Sequence, residues 1–503
     1  MIRKFLILLV GSLLTATNTF SQLTYLTRTT PENEGLHSKD VLNFVDNIMK
    51  QKDTDIHGVM VLRNGKVVAE KYNEPFAQEY SHTLYSCSKT FTGVAVGLAV
   101  EDSLLTINDS IVKFFPELPL DSLSDTLQVV TVRDLLTMQL GIPVDTKMRT
   151  IENEWAKAYL SKSFVALPGT LYAYDSIDSY LLSAIVQRVT GKTIFEYLKE
   201  RIFTPMGITQ VAWEESPEGV SCGGWGLYMQ LESMAKFGQL ILQKGVWNGQ
   251  QLVSSEWIDE MCKHQSTNTN GQMYGYHIWV MNYPGVVKCD GAYGQYIYII
   301  PDKNMVVAIT QCMRGNGNLE NSEMWNLSRS ATNQKLPPSN EYNTLLAARY
   351  RLAPTKGKAF SNKHLMPVKL DLGTNKLGWK SVEFEFGKQN LTTEPTLKLK
   401  VRTENGKKFN LVCTYQKWHT NEIKGYPLNL RPFLNNFSNI KGPFYAASSY
   451  GWTTDDDLYV RIHYVNWLSS CRLHFRFRDG VVQAEILTSE TTKSVGIITS
   501  VKR

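Results

Sequence analysis

Neither sign of charge dominates this chain. Its 503 residues carry 53 Lys+Arg against 47 Asp+Glu, a net charge of +6, with no long basic run. Nucleic-acid binding therefore has no electrostatic support. Glycine (34) and proline (18) are too few, and too irregularly spaced, for collagen or a low-complexity segment. The nine histidines show no H-E-x-x-H or paired spacing, so neither a metal nor another cofactor is expected. The seven cysteines are scattered, odd in number and free of any C-x-x-C pair, which excludes a zinc ribbon and a thioredoxin-like site. Most should be small core residues, with one or two disulfides allowed after export. No internal stretch is long and apolar enough for a transmembrane helix.

What remains is an ordinary globular composition, 43% hydrophobic and 20% charged, long enough for two to four domains. Arg3 and Lys4 precede an apolar run at 5–14, and small and polar residues fill 15–21. That is the layout of a secretory signal peptide with a cut after Ser21, which points to periplasm or secretion without a membrane span.

Residues 57–72 read as a hairpin, with β-rich runs at 58–62 and 66–72 flanking Arg63-Asn64-Gly65. Helical spacing predicts helices over 86–101, 131–136, 179–190, 194–201, 231–244 and 255–263. Strands are expected at 296–300 and 305–310. The first part thus has strands at both ends and helices between, which implies one sheet assembled from distant parts of the chain. Gln334-Lys335-Leu336-Pro337-Pro338-Ser339 reads as a linker, and a short helix should follow over 342–350. Period-two runs at 382–386, 397–402, 408–415, 458–464, 472–477, 481–487 and 494–501 predict an all-β barrel or sandwich. The expected division is a signal peptide at 1–21, an α/β domain at 22–335, a linker at 336–360 and a β-rich domain at 361–503.

The sharpest local motif is Ser86-Cys87-Ser88-Lys89, read S-x-x-K, at the start of a predicted apolar helix. Residues three apart share a helix face, so Lys89 would aim its amine at the Ser86 hydroxyl. Serine is a weak nucleophile at neutral pH and needs a base beside it, and a desolvated lysine can serve. Alone, the motif fits an N-capping serine with a solvated lysine better than a catalytic pair. Three further segments follow in order. Pro168-Gly169-Thr170-Leu171-Tyr172-Ala173-Tyr174-Asp175-Ser176 precedes a helix, Gly223-Gly224-Trp225-Gly226-Leu227 comes next, and Gly291-Ala292-Tyr293-Gly294-Gln295 opens a strand. His82, four residues before Ser86, is a weaker candidate base than Lys89.

That ordered set resembles the serine β-lactamase and penicillin-binding-protein superfamily over about residues 30–330. It is most similar to the class C β-lactamase-like branch of β-lactamases, DD-peptidases, esterases and the hydrolase of aminohexanoate dimers. The resemblance implies a mixed α/β domain beside a helical one, with the site in the cleft. It implies an acyl-enzyme on Ser86, with Lys89 as base partner and Tyr174 in proton transfer. Gly294-Gln295 matches the end of the third motif, which would make the backbone N–H groups of Ser86 and Gln295 the oxyanion hole.

Two departures weigh on the substrate. Ser176 replaces an asparagine of the Y-x-N motif, and a hydroxyl offers fewer hydrogen bonds than an amide. Ala292 stands where the family often has a cation that holds a substrate carboxylate, a charge-assisted bond worth about 1.5–3 kcal/mol. Arg314 could stand in for that cation or be solvated. Trp225 fits a cleft wall or the core equally well. The departures favour an esterase or amidase acting on small acyl or peptide-like substrates. A DD-peptidase or β-lactamase, and a catalytically silent ligand- or glycan-binding protein, stay as alternatives.

Overall fold

The hairpin expected from Asn64-Gly65 seeds the main sheet. Strands Thr54–Arg63 and Lys66–Glu74 pair antiparallel with Arg63 opposite Lys66. Asn64 and Gly65 both take positive φ, 51° and 75°, the turn geometry that asparagine and glycine adopt most readily. The computed structural model describes residues 25–51, 54–118, 125–144, 153–313, 315–363, 368–372, 378–387, 394–424, 440, 442–468, 470–478, 481–488 and 494–501. The candidate signal peptide and Arg314 lie outside the described residues.

Strand Met305–Met313 pairs with Thr54–Arg63 from the far end of the same region, so the sheet closes across some 240 residues. Gln295–Ile300 pairs next to it, and Val287–Gly291 next to that. The short strands Trp279–Val280, Met273–Tyr274 and Ser266–Thr267 continue the order outward. Both faces are covered, which is why the apolar runs are nearly continuous. Ile297, Ile299, Val306 and Ala308 share one core with Phe91 and Phe237, and Tyr298, Ile300, Val307 and Ile309 share another with Phe44, Ile48 and Met324. Helix Ser88–Glu101 is buried from Ser88 to Ala99, as expected of a helix with no polar face. Its Gly97 admits the indole of Trp257, whose ring lies 2.2 Å from where a Cβ would stand.

The expected linker does more than connect. It carries helix Glu341–Ala347 and strand Tyr350–Arg351, which pairs parallel with Asn73 and Glu74 at the other edge of the main sheet. Beyond it, ten strands between Val368 and Val501 form one sheet. The first and last strands approach each other within 8 Å at Cα, so the sheet curls toward a barrel and does not split into a sandwich. Thr396–Thr403 alternates buried and open positions residue by residue, the signature of a sheet with one covered face.

This sheet packs on the first region at two places. Phe76 and Leu352 meet Ala447 and Val465, and Tyr85 and Tyr228 join the core of the C-terminal sheet. All seven cysteines are free thiols, six of them buried.

Candidate active site

The chain leaves strand His82–Thr83, passes Leu84 and Tyr85, makes one tight turn over Tyr85–Cys87 and enters helix Ser88–Glu101. Tyr85 holds a φ of 48°, a left-handed conformation that costs a bulky residue about 1–3 kcal/mol. The turn is pinned from beneath. Ser88 Oγ donates to the Tyr85 carbonyl at 2.6 Å and accepts from the Leu227 amide at 3.2 Å. Ser86 is thereby presented, half-exposed, at the N-terminal end of a buried helix.

Lys89 lies one turn on and is 1% exposed. Its Nζ reaches Ser86 Oγ at 3.1 Å, Ser176 Oγ at 2.9 Å and the Gly224 carbonyl at 2.9 Å. These three contacts, all to oxygen, fix the position of the amine. The Tyr174 ring centroid is 4.6 Å from the same Nζ. Tyr174 sits just before helix Ser176–Thr190, which Asp175 caps through a 2.9 Å bond from the Ile177 amide. Asp175 is buried and also accepts from Tyr159 OH at 2.9 Å. The Tyr174 ring stacks on Trp279, centroids 5.6 Å apart.

The glycine pair 223–224 lets this helix close onto the lysine. A Cβ on Gly223 would lie 2.3 Å from the Ser179 carbonyl, and one on Gly224 2.6 Å from that of Ser176. Trp225, by contrast, is a core residue, 4% exposed and stacked on Trp155. It does not line the cleft.

The third motif is shifted from where the sequence suggested. The strand that lies against the Ser86 turn is Val287–Gly291, and Gly291 is its point of closest approach. A Cβ there would stand 2.2 Å from the Leu84 carbonyl and 3.3 Å from the Cys87 amide nitrogen. Gly294 instead belongs to the connection between strands, at φ 91° against the Gln311 side chain. Gln295 is fully buried, and its amide donates to the Gln311 carbonyl at 2.7 Å, on the neighbouring strand. Neither lines the cleft; Ala292, following Gly291, does. Val287-Lys288-Cys289-Asp290-Gly291 alternates apolar and polar residues, but five residues are a short run, and the strand expected from the sequence begins only after Gly291.

Ser86, Tyr174 and Ala292 open onto a cleft of about 510 Å³. Trp279, Met281 and Tyr283 form an apolar wall, and Gln272, Asn282, Asn318 and Asn321 supply amides. Lys288 and Asp290, an ion pair at 2.6 Å, face the same space. Beyond Ser86, Tyr174 and Ala292, none of these lining residues was legible beforehand.

The surroundings of Lys89 are dry. Burial, with Asp175 and Asp134 nearby, pushes the Asp178 carboxyl well above the usual carboxylate range, against the pull of Lys89. Burial and the Lys89 charge push the His277 imidazole down to about 3. Cys87 is raised well above a normal thiol by burial, so it is no nucleophile. His82 turns away from Ser86. Its Nε2 contacts His57 Nδ1 at 2.8 Å, its Nδ1 faces the Thr83 carbonyl, and burial lowers it to about 4. Among the described residues, no group of three His, Cys, Asp or Glu side chains could hold a metal ion.

Fold and site together define a serine hydrolase. The chain belongs to the β-lactamase family, whose model matches residues 43–323. It is 25% identical over 291 residues to an uncharacterised protein of Alkalihalophilus pseudofirmus, covering 49% of this chain and 81% of that protein. It is 25% identical over 237 residues to the 6-aminohexanoate-dimer hydrolase of Paenarthrobacter ureafaciens, covering 42% of this chain and 58% of that enzyme. A penicillin-binding protein homologue from Caulobacter crescentus shares the fold at a TM-score of 0.50 and 15% identity, over 61% of this chain and 99% of its own.

Proposed function

We propose that the protein is an exported hydrolase that cleaves esters or amides of small acyl or peptide-like substrates through an acyl-enzyme on Ser86. One observation carries the reading: a buried lysine amine fixed by three contacts, one of them to the hydroxyl of a serine that opens onto a cleft. In its neutral form Lys89 takes the Ser86 proton as Oγ bonds to the substrate carbonyl carbon. The carbonyl oxygen becomes an oxyanion, and the backbone N–H groups of Ser86 and Ala292 are the donors suited to hold it. Ser176 positions the lysine. Tyr174, beside it, passes the proton to the departing alcohol or amine. Water then attacks the acyl carbon, gives its proton back through Lys89 and Tyr174, and releases the acid from Ser86.

The corrected register supports a substrate with little negative charge. The three residues that end on the close-approach glycine are Cys289-Asp290-Gly291, with no cation among them, and Lys288 is already paired with Asp290. Export rests on the layout of residues 1–21. Among the described residues no helix is long and apolar enough to cross a membrane. We further assign the chemistry to a domain at 22–335 and separate a β-rich domain at 361–503, joined by 336–360.

The test is turnover of p-nitrophenyl acetate and butyrate by the mature protein. Turnover should fall at least about 10³-fold in Ser86→Ala. Turnover that survives in Ser86→Ala rejects the assignment. Stable labelling by penicillin without turnover would move the reading to a DD-peptidase-like enzyme.

A further inference from the structure

Trp467 brings the C-terminal sheet against the proposed catalytic apparatus. Trp467 follows strand Asp457–Tyr464 in a turn held by its own amide bonding the Tyr464 carbonyl at 2.9 Å. The preceding Asn466 accepts from the Tyr445 amide at 2.8 Å, which ties the turn to the neighbouring strand. The indole is 4% exposed. Its ring lies 5.8 Å from that of Tyr85 and 5.6 Å from that of Tyr228. Tyr85 in turn meets Tyr293 edge-on at 5.7 Å.

Those two tyrosines hold unusual positions. Tyr85 immediately precedes Ser86 and has a φ of 48°. Tyr293 immediately follows Ala292 and has a φ of 63°. Each is a bulky residue in the left-handed region, a conformation that persists only where the surroundings over-determine it. The aromatic contact joins the two backbone segments that carry the proposed oxyanion donors, and Trp467 closes it from the other sheet. Phe, Tyr and Trp pairs at these separations attract beyond their area of contact.

We infer that Trp467 is a positioning residue: through Tyr85 and Tyr293 it holds the Ser86 turn and the Ala292 turn at the spacing that lets both amides face one oxyanion. The inference rests on the acyl-enzyme reading and assigns the C-terminal sheet a part in catalysis without contact with substrate. An error of about 1 Å in such a pair is felt as a rate loss, because the donors act on charge that exists only in the transition state.

The experiment compares Trp467→Ala, Trp467→Leu, Trp467→Phe, Phe475→Leu and Ser86→Ala in the full chain, with p-nitrophenyl butyrate as substrate. Phe475 packs on Phe384 in the core of the same sheet, at 4.8 Å between rings. Phe475→Leu therefore loosens that sheet without touching the clamp. Thermal unfolding is recorded for each variant, and rates are taken well below each midpoint. Trp467→Ala should lower kcat about 30–100-fold with KM changed less than about twofold. Trp467→Leu should do the same, and carries the test if the alanine variant does not fold. Trp467→Phe should recover kcat to within about threefold by restoring an aromatic edge. Phe475→Leu should lower the unfolding midpoint and leave kcat alone. The inference is overturned if kcat in both Trp467→Ala and Trp467→Leu stays within about twofold of the parent, if only KM moves, or if Phe475→Leu loses kcat equally. Activity that persists in Ser86→Ala would fail the acyl-enzyme reading instead, which separates the two failures.

Discussion

Among the described residues, ten of the eleven non-glycine positions with positive φ lie between Asn64 and Asn304, and one, Gln416, lies in the C-terminal sheet. Two of the ten, Tyr85 and Tyr293, flank Ser86 and Ala292. Close glycine approaches occur in both regions. At the C-terminal sheet a Cβ on Gly357 would lie 2.4 Å from the Trp452 carbonyl, and one on Gly451 2.5 Å from the Lys356 carbonyl. In the first region Gly223 and Gly224 close the Ser176–Thr190 helix onto the Lys89 side, and Gly291 approaches the Ser86 turn. In the C-terminal sheet, strands such as Thr396–Thr403 and Lys408–Tyr415 pair without interruption across the ladder. The comparison teaches where this molecule spends conformational strain. The C-terminal sheet, with register shifts only at Trp379/Ser381 and Ile486/Leu487 among its described ladders, reaches the site through packing, whereas the mixed region holds Tyr85 and Tyr293 in costly shapes beside Ser86 and Ala292.

The largest effect that would sharpen this contrast is expected at Gly291. Gly291→Ala places a methyl 2.2 Å from the Leu84 carbonyl, and backbone must move to admit it. kcat/KM should fall at least about 10²-fold. Gly294→Ala meets the buried Gln311 side chain from its amide to its Cγ, and no backbone, with the added strain of φ 91°. It should cost about 1–2 kcal/mol of stability and leave kcat/KM within about fivefold. Ester hydrolysis and thermal unfolding of both variants check this. Equal losses of activity would mean that Gly291 has no special place beside Ser86.

A smaller effect lies where the two regions meet. His57, His82 and His463 are all buried, and burial lowers each of them, His82 to about 4. His277, inside the first region, is lowered to about 3. The folded state keeps these rings neutral, while the unfolded chain protonates them near pH 6.5. The unfolded state therefore binds more protons as pH falls, and stability drops on acidification through that window. At pH 5 His82 and His277 each contribute a loss of about 2 kcal/mol. Asp178, raised well above the usual carboxylate range by burial, works in the opposite sense. The unfolding midpoint should be several degrees lower at pH 5 than at pH 7.5. A midpoint equal or higher at pH 5 contradicts the neutral assignment.

Much of the fold was legible because its local and global demands agree. Asn64-Gly65 can hardly be anything but a tight hairpin, and the helix that starts at Ser88 is apolar all round because it is buried all round. The period-two runs after Ser381 announced a sheet, although strand Phe444–Trp452, buried on both faces along most of its length, did not. Ser86, Lys89, Tyr174 and Ser176 could be proposed together because the helix period and a motif set their spacing. The rest of the cleft could not. Lys288 and Asp290 look like surface charges in the sequence, and only the ladder turns them toward Ser86. Gln295 was proposed as a backbone donor because Gly294-Gln295 matched the end of the third motif, yet the close approach to the Ser86 turn falls at Gly291 and Gln295 pairs within the sheet. Trp225 sits in a glycine-rich motif, but the glycines serve the helix packed on them and the indole fills the core.

The most direct test of the site is covalent labelling. The purified protein is treated with a fluorophosphonate serine probe, and its intact mass and peptides are mapped. A single adduct on the peptide that contains Ser86, absent from Ser86→Ala, is the predicted result. An adduct on any other residue, or one that persists in Ser86→Ala, would contradict the assignment of the nucleophile.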